Sequence, residues 1–112
     1  MRIAIPLTAG KLSMHFGHCE QFAILDVDSE KKSIINTELV SPPAHQPGVL
    51  PQWLAGLQVE LIIAGGMGQR AQQLFNQNQI KVVVGATADG PEELVSAYLD
   101  GRLVCGQNIC DH

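Results

Sequence analysis

The sequence predicts a single α/β domain: a five-stranded mixed sheet, strands in the order 3-2-1-4-5, with three helices packed on it. Three observations point there. Short runs rich in Val, Ile and Leu recur along the chain, aromatic residues are few, and helix-like stretches separate the later runs. Strands buried on both faces read as near-continuous apolar runs of this kind. With 112 residues the chain encloses one core rather than two.

Taken in order, "RIAIPL" and "QFAILDVD" are the first two strands, and the charged stretch from Asp28 to Lys32 is the turn into a third, "SIINTELVS". "PPAHQPG" then interrupts regular structure. "VLPQWLAGL" follows as a short helix with Leu50, Trp53, Leu54 and Leu57 on one side, and Pro51 fits its first turn, where no N–H is needed. "ELIIAGG" is the fourth strand. "MGQRAQQLFNQNQ" is a helix with Ala71, Leu74 and Phe75 on its apolar face, and "KVVVGA" is the fifth strand. In "DGPEELVSAYLDG", Asp89 is expected to cap the last helix, Glu92 and Glu93 suit its positive end, and Gly101 stops it. The domain is expected to cover 1–101. A tail, 102–112, has little to bury.

Tight reversals make the first three strands an antiparallel meander, whereas helical crossovers set the later strands parallel to a neighbour in the right-handed sense. This is the ribonuclease H-like layout. In it, strands one, three, four and five end at one edge of the sheet, and strand two begins there. The "HFGHC" loop with His15, His18 and Cys19 therefore shares an edge with His45, with the "GGMG" turn and with "GATADG". Strands one and four are the parallel pair whose connections diverge, where open α/β sheets bind ligands.

Net charge is −4 and Lys and Arg form no cluster, so nucleic acid is not expected as a partner. No window approaches the roughly 18 apolar residues of a membrane span. "MRIAIPLTAG" reads as a strand rather than a secretory leader, and the expected location is the cytoplasm. The three cysteines are odd in number and unevenly spaced, which does not indicate a disulfide framework.

Several residues are candidates for a site, each with a plainer alternative. His15, His18 and Cys19 offer imidazole and thiolate to iron, zinc, copper or an iron–sulfur cluster. They fit equally a hydrogen-bonded turn followed by a buried cysteine. His45 is a ligand or an exposed loop residue. The glycine turn, Gly65, Gly66, Met67 and Gly68, allows close backbone approach and opens a helix whose N–H groups favour anions; otherwise it is a tight strand-to-helix connection. Arg70 assists an anion or is merely solvated. Cys105, Cys110, Asp111 and His112 crowd the last eight residues. That tail either frays or returns across the domain, since its eleven residues after Gly101 can span about 36 Å at roughly 3.3 Å each.

Catalysis is not expected. Two-metal nuclease chemistry needs carboxylates at the strand ends of the site. Here Asp26 and Asp28 fall at the opposite edge, and the first strand has no acid.

"IAIPL", "HFGH", "HQPGVLPQWL", "IIAGGMGQRAQQLF" and "NICDH" together resemble the dinitrogenase iron–molybdenum cofactor biosynthesis family, in order along nearly the whole chain. The resemblance implies a ribonuclease H-like fold and a carrier role in nitrogen fixation or related assembly. Its cargo would be an iron–sulfur or iron–molybdenum type cluster, and its partners would be cofactor-assembly proteins or a recipient metalloenzyme. It also implies cluster contacts at His15, His18, His45, Gly65–Gly68, Arg70, Cys110 and His112, while Cys19 and Cys105 match the family pattern less directly. The alternative is a regulatory or interaction module without metal, taking a small anion or a partner protein at the same edge.

Overall fold

In the computed structural model, residues 1–12, 20–42, 49–86 and 90–101 are described. The elements are β1 (Arg2–Thr8), β2 (Lys11–Leu12), β3 (Gln21–Asp28), β4 (Ser33–Val40), α1 (Val49–Gly56), β5 (Leu61–Ile63), α2 (Gln69–Gln77), β6 (Lys81–Val83) and α3 (Pro91–Leu99). The sheet runs β4-β3-β1-β5-β6, with β2 paired to β1 off that path. β1, β3 and β4 are antiparallel neighbours, and β1, β5 and β6 are parallel.

The sheet has six strands, not the expected five. The extra one, β2, is only two residues long, and it exists because Ala9 and Gly10 both take positive φ, 54° and 80°. A two-residue loop of that hand matches strand twist, so the chain doubles straight back and pairs Leu12 with Leu7. At the opposite edge a longer turn joins β3 to β4. There Asp28 Oδ1 accepts from the backbone N–H of Glu30 (3.0 Å) and of Lys31 (3.2 Å), so the charged residues ring a turn organised by one carboxylate.

Strand alternation divides the core into two layers. On one face Ile3, Ile5 and Leu7 of β1, Leu25 of β3 and Leu61 and Ile63 of β5 pack with Leu94 and Val95 of α3. On the other, Phe22, Ile24 and Ile62 pack with Leu50 and Leu54 of α1 and Phe75 of α2. Trp53 meets Phe22 edge-on, ring centres 5.7 Å apart. Leu74 departs from expectation: it is half-buried and faces an outer depression, because Ala71, Phe75 and Ile80 define the seam of α2 against the sheet. The third strand of the meander, β4, also departs. It is mostly exposed rather than alternately buried, since it lies at the sheet edge and a register shift leaves Ile35 as an extra residue.

Helices α1 and α2 end alike. After α1, Gln58 sits at φ 65°, with Gln58 N–H on Ala55 O (3.0 Å) and Val59 N–H on Leu54 O (3.1 Å). After α2, Gln79 sits at φ 63°, with bonds to Asn76 O (3.0 Å) and from Ile80 to Phe75 O (2.9 Å). These are left-handed terminations that usually employ glycine. A side chain there costs roughly 1–2 kcal/mol. Gln79→Gly is therefore expected to stabilise the fold by about 1 kcal/mol despite adding a glycine, read as a melting temperature higher by roughly 4 °C. The last helix is capped by Gly90 with no side-chain hydrogen bond, not by Asp89, which lies outside the described residues; Gly101 at φ 73° ends it.

Arg2 fastens the edge where β1 begins. Its Nε donates to Asp26 Oδ1 at 2.7 Å, and its Nη1 donates to Leu57 O at 2.6 Å. The hydrogen bond that Arg2 donates to Asp26, and then the charge of that carboxylate, hold the Arg2 pKa above its ordinary value, so the guanidinium stays cationic. No helix among the described residues is long and apolar enough to cross a membrane.

Candidate functional site

The edge opposite Arg2 collects the C-terminal ends of β1, β4, β5 and β6 and the start of β3. The residues flanking the first histidine segment are anchored there. Leu12 and Gln21 both pair with Leu7, one on each side of β1, so the segment 13–19 leaves and re-enters the sheet at one residue of its central strand. Glu20 strengthens the return. Its N–H donates to Leu7 O at 2.7 Å, and its Oε1 accepts from Ala9 N–H at 2.8 Å. Val40, from which the chain leads toward 43–48, pairs with Phe22 at the same edge.

The glycine turn lies between β5 and α2. The ladder between β5 and β6 continues past the strands themselves: Ala64 N–H donates to Val83 O (2.8 Å), and Gly85 N–H donates to Gly65 O (2.8 Å). Gly85 has φ 83°, so only a residue without Cβ fits comfortably beside the turn. Gly65 and Gly66 are buried, and neither is among the glycines at positive φ. Met67 is 1% exposed and sends its side chain into the α1/α2 layer. Its carbonyl accepts from Gln72 Nε2 at 2.8 Å, a tie between turn and helix that no sequence pattern marks. What Met67 can offer a ligand is therefore backbone, not thioether.

Gly68 caps α2 without a side-chain hydrogen bond, and the first turn of the helix carries no acid. The cap residue and the first turn thus bring no carboxylate or hydroxyl of their own to the amides opening α2, as suits an anion-bearing ligand. Arg70 is exposed and lines a shallow depression on α2 with Gln69, Gln73, Leu74 and Gln77. Asp26 and Asp28 lie far from this turn, at the edge fastened by Arg2.

The soft ligands expected from the sequence all fall outside the described residues: His15, His18 and Cys19 in 13–19, His45 in 43–48, and Cys105, Cys110 and His112 in 102–112. Among the described residues no group of three His, Cys, Asp or Glu could hold a metal ion. Of the anticipated site, the fold brings together the glycine turn and the anchors of the two histidine segments. The last residue described before the tail, Gly101, follows α3 at the far end.

Known proteins share this architecture. The crystal structure of PH0822 superposes with a TM-score of 0.85 at 29% identity, covering 94% of each chain. The apo form of the orange protein from Desulfovibrio gigas superposes with a TM-score of 0.72 at 24% identity, over 96% of this chain and 93% of that one, a likeness of fold. In sequence, an uncharacterized protein of Methanocaldococcus jannaschii, MJ0580, is 33% identical over 108 residues, 92% of this chain and 89% of the relative. The family described as dinitrogenase iron-molybdenum cofactor matches residues 1–101, every described element included. With its glycine turn set at the edge where the histidine segments are anchored, the chain belongs to the dinitrogenase iron–molybdenum cofactor family.

Proposed function

We propose that this protein binds and carries an iron–sulfur or iron–molybdenum type cluster, or a precursor of one, during assembly of a metalloenzyme cofactor. The observation that carries this reading is the shared edge. Both ends of the segment holding His15, His18 and Cys19 are tied to Leu7, and the start of α2, capped by Gly68 without a side chain, opens at the same side of the sheet. Membership of a family described by this cofactor supports the same theme.

The cluster is cargo. Imidazoles of His15, His18 and His45 are the proposed metal ligands, with thiolates of Cys19 and Cys110 and the His112 ring completing the set. Backbone N–H groups of the glycine turn and the Arg70 guanidinium would face an anionic, sulfide-rich surface, which hydrogen-bond donors stabilise. Histidine-rich ligation suits release better than a closed four-cysteine cage. In this reading the protein is not an enzyme; it works in the cytoplasm between an assembly protein and a recipient enzyme, on a ribonuclease H-like scaffold.

The test uses untagged protein purified without oxygen and incubated with iron and sulfide. Stoichiometric uptake of both, with visible charge-transfer bands, is the expected result. A colourless protein that takes up neither these nor a preassembled iron–molybdenum cofactor would overturn the carrier reading. The same edge would then belong to a module for a small anion or a partner protein.

A further inference from the structure

We infer that two copies of this chain associate by antiparallel pairing of their β4 strands, which would join the two sheets into one. The starting point is hydrogen-bond parity. Met1 and Val27 exchange both backbone bonds, Met1 N to Val27 O at 3.1 Å and Val27 N to Met1 O at 2.9 Å. Such pairs alternate along an antiparallel ladder. Odd-numbered residues of β3 therefore bond to β1, and even-numbered ones bond to β4. In the observed register Asn36, Glu38 and Val40 face β3, which leaves the N–H and C=O of Thr37 and Leu39 directed away from the sheet. Among the described residues no strand lies beyond β4.

This edge lacks most of the features that block strand pairing. β4 is eight residues long and contains no proline, lysine or arginine, and its one charge is Glu38. Among the described residues the bulge at Ile35 and that one charge are the protective devices, and residues 36–40 pair regularly beyond the bulge. Leu39 is 56% exposed and Ile35 69%, two of the three exposed large hydrophobics among the described residues.

The strand is complementary to itself. With the two-fold axis at Thr37, Leu39 of each copy lies opposite Ile35 of the other, and Glu38 lies opposite Asn36, whose amide can donate to the carboxylate. Moving the axis to Glu38 would set two carboxylates face to face. Thr37 is the register that satisfies charge and covers both apolar side chains. The glycine edge of each copy stays open.

A strand pair is a small interface, so association is expected over roughly 10 µM to 1 mM, where sedimentation velocity should show a rise toward twice the monomer mass. Two full-length variants complete the test. Thr37→Pro removes an outward N–H without disturbing β3, as an edge strand permits. Leu39→Lys sets a charge at the apolar contact. Both are expected to remain monomeric with unchanged far-UV circular dichroism, and if one fails to fold, the other decides. A wild-type protein monomeric across this range overturns the inference. So does a dimer that a folded variant leaves intact.

Discussion

Replacing His15 and His18 together with alanine is expected to lower cluster loading by more than tenfold while leaving the thermal unfolding midpoint within a degree or two. Loss of an outer-shell partner of a metal ligand already costs about 10–100-fold in affinity. Removing the two proposed direct ligands should cost more. The fold should be indifferent because the contacts that hold the segment in place lie outside it: Leu12 and Gln21 pair with Leu7, and Glu20 bonds to Leu7 and Ala9. Iron and acid-labile sulfide content, with the visible spectrum after reconstitution, reads the first effect, and differential scanning calorimetry reads the second. Unchanged loading in a folded double variant would remove "HFGHC" from the site. Lost loading accompanied by a large drop in stability would instead make the histidines structural.

Phe75→Ala is expected to be the most damaging single core change, costing about 3–5 kcal/mol. Phe75 is fully buried in the layer beneath α1 and α2, and its carbonyl also accepts the Ile80 N–H that terminates α2. A small domain has only about 5–15 kcal/mol of net stability, so the variant should unfold at a urea concentration lower by roughly 2 M, or be partly unfolded without urea. Because α2 begins at the glycine turn, loading should fall along with stability. Restoring stability with Gln79→Gly should recover part of both. A Phe75→Ala midpoint within 0.5 M of wild type, allowing about 1 kcal/mol of cost at most, would show that the layer collapses around the gap.

The parallel core was legible in the sequence because its physics is local. "IAIPL" and "LIIAG" are apolar at consecutive positions, as strands buried on both faces must be, "VVVG" repeats the pattern at a half-buried edge, and helical stretches between them force parallel crossovers. The path β4-β3-β1-β5-β6 follows from those constraints. β2 was not legible as a strand, although "LTAGKL" carries its signal: two apolar residues around a two-residue turn ending in glycine. Leu74 was misread because helical spacing defines a stripe but does not say which edge of the stripe meets the sheet. Gln58 and Gln79 left no signal at all, since glutamine is an ordinary helix residue and both are exposed, their positive φ accompanying the backbone bonds that end each helix. At the site, the position of the glycine turn was legible from topology. The burial of the Met67 side chain was not, since a methionine between glycines reads equally as exposed or packed.

The two faces of the sheet are covered unequally. Two helices shield the layer containing Phe75, whereas among the described residues α3 alone shields the layer containing Ile5, Leu25 and Ile63. Proteins open in cooperative pieces, and a lone helix detaches more easily than a pair packed side by side. In native-state hydrogen exchange, amides of α3 should therefore exchange through a partial opening, while those of β1 and β5 wait for global unfolding. The tail with Cys110 and His112 follows directly from α3. In the proposed carrier, the least protected helix of the domain would set the pace at which ligands beyond Gly101 let go.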